Sequence, residues 1–305
     1  MAGTMQDVTS APPAVEGRAS TRKRLVPYGL AAPAVIWLGL LFIVPMGFLA
    51  ATSLKSGGVF SGGFRFSWEW ANYGESISEN STYFIRSIEY SAIVTVVGLL
   101  LAYPLAYWIA FHGGRWKGSL LFLVLLPFFV SFIIRTVQWR FILGDNGPVL
   151  GTLKGFGLLP DTFHVLATPL AVIAGMTYNF LPFTTFPLYV ALERIDHRLV
   201  EAAQDLYASR AKAFWKVVFP LSIPGVFAAV LLTFVPATGD YVDAELLGSS
   251  NTKLIGNIIQ TKFLVSLDYP GAAALSIVLM IGMLVLASIY ARVLGTEDVA
   301  GSVAA

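Results

Sequence analysis

The residues best suited to specific chemistry lie in one charged segment, residues 193–216, which separates two long apolar runs. Small and apolar side chains recur at helical spacing in its first half, at Leu199, Ala202, Ala203 and Leu206. The acidic residues Glu201 and Asp205 flank the alanines. Because small side chains let a partner backbone approach closely, this face suits insertion into a groove on another protein. The alternative is an ordinary amphipathic surface loop.

Capping and turn signals divide the same segment into two short helices. Asp196 stands just before the first apolar position and predicts an N-cap. A break is expected at Tyr207, Ala208 and Ser209, and a second helix over residues 211–217. The predicted unit is therefore a helix–turn–helix elbow.

Other kinds of chemistry find little support in the sequence. There is no Cys, and His112, His164 and His197 are isolated, so neither a thiol site nor a metal site is predicted. Residues 113–119 are rich in Gly but lack the Lys that follows the last Gly of a phosphate-binding loop. The net charge of +2 gives no indication of nucleic-acid binding. A membrane-embedded enzyme would need a constellation of His, Asp or Glu, which the sparse charges do not supply.

Composition identifies what must position the elbow. Of the 305 residues, 56% are hydrophobic and 12% charged, against about 25% charged in an ordinary soluble domain. The mean hydropathy of +0.72 excludes a soluble enzyme and indicates an all-α polytopic membrane protein. Six runs without acidic or basic residues are long enough to span a bilayer. They are residues 25–54, 90–111, 118–134, 165–192, 217–239 and 269–291.

The third run is predicted to continue as a helix past Arg135 towards Trp139. Arg135 would then reach the outer interface or pair with a carboxylate such as Asp145 or Asp240. Six prolines lie in or beside the runs and predict kinks, which line cavities or are tolerated between packed helices. They are Pro127, Pro182, Pro187, Pro220, Pro224 and Pro236.

Charge in the loops predicts the orientation. With both termini in the cytoplasm, twelve of the twenty Lys and Arg residues lie inside and six outside, with the remaining two at the end of the third run. A disordered cytoplasmic tail is expected over 1–24, and the first helix with its external loop over 25–85. The main transmembrane domain is expected over 86–293, with the elbow at 193–216, and a second cytoplasmic tail over 294–305.

Glu201, Ala202 and Ala203, the turn that follows, and the later residues 217–220 together resemble a known motif. It is the EAA loop of permease subunits in binding-protein-dependent ABC importers, in which Gly usually stands where this chain has Tyr207. The resemblance implies a type I importer transmembrane fold and an elbow that docks onto an ATPase. The coupling residues it implies are Glu201, Ala202, Ala203, Asp205, Tyr207, Ala208 and Ser209.

The resemblance also implies a set of partners in a prokaryotic cytoplasmic membrane. They are a second homologous permease, a dimer of ATP-binding subunits, an external solute-binding protein and the lipid bilayer. ATP and Mg²⁺ would bind the ATPase, so this chain would bind no cofactor and would not itself be an enzyme. An ion-coupled secondary carrier is the alternative from another class. It would need an intramembrane ionisable relay and often inverted repeats, and neither is evident.

Two further stretches, residues 126–147 and 235–270, resemble the permeases of spermidine/putrescine importers. Importers of ferric iron, sulfate or opine-like organic solutes share parts of these stretches and remain alternatives. A polyamine path should offer carboxylates and aromatic faces to a flexible polycation. The candidates for such a path are Glu89, Trp139, Tyr178, Asn179, Asp240, Tyr241, Asp243 and Glu245. The alternatives are a solvated loop or a docking surface for the binding protein, and for Glu89 an ion pair with Arg86.

Overall fold

A computed structural model describes residues 21–59 and 62–293 and divides the chain into two units at Leu49/Ala50. Of the predicted tails, residues 1–20 and 294–305 lie outside the described residues, whereas residues 21–24 are helical and not part of a disordered tail. Helix α1 is Thr21–Ser53 and so begins four residues before the first apolar run. Residues 32–53 of α1 are long and apolar enough to cross a membrane.

A small hairpin follows α1, so the fold is mostly rather than wholly helical. Strand β1 (Lys55–Gly58) pairs antiparallel with β2 (Gly63–Phe66), with Lys55 opposite Phe66. Gly57 has a φ of 98°, and a side chain there would collide with the Gly63 carbonyl oxygen, so glycine is required for this close approach. The all-α prediction missed these strands because they are only four residues long.

Helix α2 is Ala71–His112 and begins 19 residues before the run predicted at Tyr90. At 1.5 Å per residue its 42 residues extend about 63 Å, twice the roughly 30 Å of a bilayer core. The part of α2 before Tyr90 contains many polar residues and therefore lies outside the predicted apolar run. Helix formation itself does not require apolar residues, which is why the predicted start was too late.

The prediction of one continuous third helix is wrong. Helix α3 (Lys117–Leu125) and helix α4 (Phe132–Ile142) meet at an angle of 93°. A single 3₁₀ turn over Leu126–Phe129 contains Pro127, and the next two residues are extended. Proline and the extended backbone interrupt the hydrogen-bond ladder, so the span is broken at its middle.

The remaining helices are α5 (Leu150–Gly155), α6 (Pro169–Glu193), α7 (His197–Asp205), α8 (Arg210–Ala213), α9 (Phe219–Thr238), α10 (Val242–Leu247), α11 (Ile255–Leu264) and α12 (Tyr269–Val293). A π-helical turn over Phe214–Val218 joins α8 to α9. Pro182 and Pro187 lie inside α6, and Pro224 and Pro236 inside α9, without breaking either helix. Among the prolines singled out from the sequence, the break in the described chain coincides with Pro127.

Within residues 21–59 and 62–293, four helical segments are long and apolar enough to span a membrane, and the bent pair α3–α4 adds a fifth. Helix α6 has 25 residues, which is long enough, but Asn179 and several threonines lower its hydropathy. The count of six spans therefore stays a prediction.

Helices α2, α6 and α9 form the packed centre of the larger unit through small residues. The position of a Cβ on Gly98 of α2 lies 3.3 Å from Thr184 Oγ1 of α6, and Thr184 hydrogen-bonds Thr233 of α9 at 2.8 Å. Where apolar packing gains little over lipid, close backbone approach and interhelical hydrogen bonds hold helices together.

Candidate functional sites

The structure confirms the helix–turn–helix elbow. Asp196 caps α7 as predicted, because its Oδ1 accepts a hydrogen bond from the backbone N–H of Arg198 at 2.9 Å. After the break, Ser209 Oγ accepts from the Lys212 N–H at 3.3 Å and caps α8. Both caps satisfy backbone donors that a helix start leaves free.

The turn of the elbow places Tyr207 in the left-handed conformation, with φ at 61°. Its N–H donates to the Gln204 carbonyl at 2.9 Å, and the Ala208 N–H donates to the Ala203 carbonyl at 3.1 Å. These two bonds form the Schellman motif, in which glycine usually takes the left-handed position. The elbow geometry therefore forms even though tyrosine stands at the position where the resemblance expects glycine.

Tyr207→Gly is expected to stabilise the turn, because a left-handed L-residue costs roughly 1–2 kcal/mol. The greater freedom of glycine in the unfolded chain offsets part of this gain, which leaves about 1 kcal/mol. Hydrogen exchange at the Ala208 amide should then slow about fivefold. Ala211→Gly in the exposed first turn of α8 is the matched control and should speed local exchange. Unchanged or faster exchange in Tyr207→Gly would contradict strain at this turn.

The elbow has an exposed tip on a buried base. Leu206 is 82% exposed and Tyr207 98%, and no residue of α7 is buried. At the base, Ile195 and Val218 are buried against α2 and α6, and the ring of His197 lies 4.7 Å from that of Phe111. Large apolar side chains exposed at a projecting tip mark an interaction site.

Aromatic rings connect the elbow to the helices above it. Phe214, in the π-helical turn, makes edge-on contacts with Tyr103 at 5.8 Å and Tyr107 at 5.6 Å between ring centroids. Tyr103 in turn hydrogen-bonds Ser222 of α9 at 2.7 Å. The π-helical turn, a form that occurs frequently at functional sites, thus lies between the elbow and α9 and contacts α2. No local pattern in the sequence indicates this joint.

A buried polar cluster lies beyond the other end of α9. Asp243 of α10 is fully buried, and its Oδ1 accepts from Thr136 of α4 at 2.7 Å. Asn179 of α6 donates through Nδ2 to both Asp243 oxygens, at 2.9 and 3.1 Å. A Cβ on Gly175 would collide with Leu247, so the glycine lets α10 lie directly against α6. Thr136 was not predicted, although it adjoins the predicted Arg135.

Asp240 begins the same cluster and is 7% exposed. Its Oδ1 accepts from the N–H of Val242 at 2.8 Å, while Oδ2 has no hydrogen-bond partner among the described residues. Burial raises the pKa of Asp240 well above its ordinary range, and the nearby carboxylate of Asp243 raises it further. Burial also raises the pKa of Asp243, against the hydrogen bonds it receives and the charge of Arg135.

Arg135 is 8% exposed, and among the described residues no carboxylate oxygen lies within the 4 Å that defines an ion pair. Its guanidinium carbon lies 5.5 Å from the ring centroids of both Phe128 and Phe132. The predicted reach to the outer interface and the predicted pairing with Asp145 or Asp240 are both wrong. The guanidinium contacts two aromatic rings instead, and its Nε and Nη1 have no hydrogen-bond partner among the described residues.

The other predicted path residues divide by position. Trp139 follows Thr136 by three residues in α4, Tyr178 adjoins Asn179 in α6, and the centroids of their rings lie 5.3 Å apart. Glu245 accepts instead from Asn257 of α11 at 3.1 Å, and Tyr241 is 42% exposed. Glu89 is exposed and does not pair with Arg86, whose Nη1 donates to the Lys253 carbonyl at 3.0 Å. Asn179, Asp240 and Asp243 are thus brought together, whereas Glu89, Tyr241 and Glu245 are not part of the cluster.

A separate clasp closes the loop between α4 and α6. Asp145 accepts from Lys154 Nζ at 2.9 Å and contacts His164 Nδ1 at 2.7 Å. The hydrogen bonds from Lys154 and His164 lower the pKa of Asp145 below its ordinary value of 3.8. The loop is therefore tied at two points to one exposed carboxylate.

Acid is expected to open this clasp. Because the pKa of Asp145 is lower in the folded loop, its stabilising contribution is present above pH 3.8 and is lost as the pH falls through the lowered pKa. Spin labels at Val149 and Thr162 should give a narrow distance distribution at neutral pH that broadens in acid. In Asp145→Asn the distribution should be broad at every pH. A narrow distribution in that variant would show that the clasp does not hold the loop.

Both sites lie within the residues that match a known protein family. The family described as "Binding-protein-dependent transport system inner membrane component" matches residues 94–295. The spermidine/putrescine transport system permease protein PotB of Haemophilus influenzae is 39% identical over 207 residues, which is 68% of this chain and 72% of that protein.

Two solved structures share the fold. A chain of a bacterial ABC transporter involved in the import of the acidic polysaccharide alginate has a TM-score of 0.69 and 19% identity, over 90% of this chain and 96% of that chain. A second alginate transporter structure, in complex with a pentasaccharide-bound periplasmic protein, has a TM-score of 0.63 and 19% identity, over 88% and 93%.

Proposed function

Because the chain belongs to the binding-protein-dependent transport system inner membrane components, we propose that it is the permease subunit of an ATP-driven importer of polyamines. The observation that carries the substrate class is the 39% identity to a spermidine/putrescine permease over most of both chains. The buried carboxylates Asp240 and Asp243 agree with an organic cation. The chain is thus a multi-pass inner-membrane protein whose substrate is spermidine, putrescine or a close analogue.

Its partners follow from the two candidate sites. The exposed tip at Leu206 and Tyr207 docks onto a cytoplasmic ATPase subunit, which binds ATP and Mg²⁺. A second permease completes the path, and an external binding protein delivers the solute, as a periplasmic protein binds the alginate transporter. Both termini and the elbow lie in the cytoplasm, and this chain carries out no covalent chemistry.

The two sites are coupled through α6 and α9. Helix α9 begins at the elbow joint and ends two residues before Asp240, a length of about 30 Å for its 20 residues. Closure of the ATPase dimer moves the elbow, the aromatic joint at Phe214 passes the motion to α9, and the polar cluster at the far end opens or closes. The path candidates nearest this cluster are Trp139, Tyr178, Asn179, Asp240 and Asp243.

The test is uptake of labelled spermidine into proteoliposomes that hold this chain with its second permease, ATPase and binding protein. Uptake that requires both enclosed ATP and the binding protein is expected. Stimulation of the ATPase by a loaded binding protein without spermidine uptake would retain the importer and reject the polyamine. Uptake without the ATPase would reject the importer in favour of a secondary carrier.

A further inference from the structure

The polar cluster contains two buried acceptors without a donor. Asn179 is fully buried, and although its Nδ2 bonds Asp243, its Oδ1 has no hydrogen-bond partner among the described residues. Asp240 Oδ2 likewise has no donor among the described residues, and the Asp240 side chain lies within hydrogen-bonding reach of the Asp243 side chain. Buried polar atoms are nearly always paired in native proteins, so two unpaired acceptors beside one buried carboxylate require an explanation.

A positively charged donor suits these acceptors. The cluster holds two carboxylates, and its nearest cation, Arg135, lies under aromatic rings without an ion pair among the described residues. A group with three donors and no acceptor, such as a primary ammonium, matches acceptors supplied by Asn179, Asp240 and Asp243. A hydrogen bond from a charged donor to a carboxylate is roughly twice as strong as one between neutral groups.

We propose that Asn179, Asp240 and Asp243 bind one primary ammonium group of the substrate inside the transport path. This deepens the proposed function and rests on it. The Thr136 hydroxyl now occupies Asp243 Oδ1 at 2.7 Å and links α4 to α10. The entering ammonium replaces the Thr136 hydroxyl, which frees α4, the second half of the broken span. Trp139 and Tyr178 then offer aromatic faces to the methylene chain and to the next cationic group.

The arrangement also explains why a threonine, rather than a basic residue, closes the empty site. Thr136 holds Asp243 with a neutral hydrogen bond, which an ammonium can displace, whereas a direct Arg135–Asp243 ion pair would compete with the substrate for the same charge. Arg135 lies near enough to lower the pKa of Asp243 but not within 4 Å of it. The site is therefore closed without being neutralised by a paired cation.

The experiment compares variants in the reconstituted importer with saturating binding protein and labelled spermidine. Asp243→Asn and Asp240→Asn remove charge with little change of shape. Each is expected to lower the maximal uptake rate at least about tenfold, while ATPase stimulation stays within about twofold of wild type. Thr136→Val removes the hydroxyl that donates to Asp243 and accepts from Asn179 Nδ2, but it leaves both carboxylates and should retain uptake within about threefold. Glu79→Gln makes the same charge change at an exposed site on α2 and should leave uptake unchanged.

Three outcomes would overturn the inference. One is wild-type spermidine uptake in Asp243→Asn. A second is a parallel loss of uptake and ATPase stimulation in both Asp243→Asn and Thr136→Val, which would make the cluster purely structural. The third is a wild-type importer that transports a solute without an amine, which would reject the proposed substrate as well. The first two outcomes leave the polyamine function intact, so the two failures are distinguishable.

Discussion

Glu201→Arg is expected to abolish coupled uptake and to lower ATPase stimulation by the loaded binding protein at least about tenfold. Glu201 is exposed on α7, four residues after the first residue of that helix, His197, and next to Ala202 and Ala203. If α7 inserts into a groove of the ATPase, the groove residues that contact Glu201 suit a negative charge. An arginine at this position would face them with a positive charge, and like-charge contacts at an interface cost several kcal/mol. A loss of 1.4 kcal/mol already weakens binding tenfold.

The fold of this variant should be unaffected. Arginine and glutamate have similar helix propensities, and no contact of the Glu201 side chain within the described chain is lost. Membrane insertion and thermal stability in detergent are therefore measured beside ATPase activity. Glu79→Arg reverses an equally exposed carboxylate on α2 and should retain coupling. Normal coupled uptake in Glu201→Arg would remove the elbow from the ATPase interface.

The elbow was predictable because its signals are local. An acidic cap at Asp196, alanines at helical spacing and a break after Leu206 are all legible over a few residues. The left-handed backbone of Tyr207 was not, because tyrosine has no preference for that conformation. The two hydrogen bonds at the end of α7 determine the backbone conformation of Tyr207, whatever side chain it carries.

The break between α3 and α4 and the early start of α2 were missed for a shared reason. The length of an apolar run reflects the polarity of the side chains, whereas the continuity of a helix depends on its backbone hydrogen bonds. Apolar residues continue through the bend near Pro127, and the polar residues before Tyr90 remain helical. Hydropathy therefore predicted the class of protein, a polytopic membrane protein, correctly, but the ends of these helices wrongly.

The polar cluster was predictable only in part. Asn179, Asp240 and Asp243 were candidates singly, because each is a polar residue in or beside an apolar run. Their contact depends on α10 folding back onto α6 at Gly175, a tertiary approach without a local signal. The absence of a local signal also explains why the predicted partner of Arg135 is wrong. Its contacts are the rings of Phe128 and Phe132, which lie on either side of the bend between α3 and α4.

Gly225→Leu is expected to destabilise the protein by about 3 kcal/mol, the upper end of the range for overpacked sites. The position of a Cβ on Gly225 of α9 collides with Ala191 of α6 and lies 3.0 Å from the Pro187 carbonyl oxygen. These neighbours are backbone or a methyl group, which cannot rotate away, so the helices must separate. Separation would also stretch the hydrogen bond between Thr184 and Thr233. The apparent midpoint of thermal unfolding in detergent should fall by roughly 6–12 °C.

Gly282→Leu is the matched control, because Gly282 also lies inside a long helix, α12, and has no neighbour within 4 Å of the Cβ position. Both changes bring the same gain in helix propensity, about 1 kcal/mol, so their difference isolates the contact between α6 and α9. Equal midpoints would contradict the close approach. A fall confined to Gly225→Leu would mean that backbone contact fixes the spacing of α6 and α9.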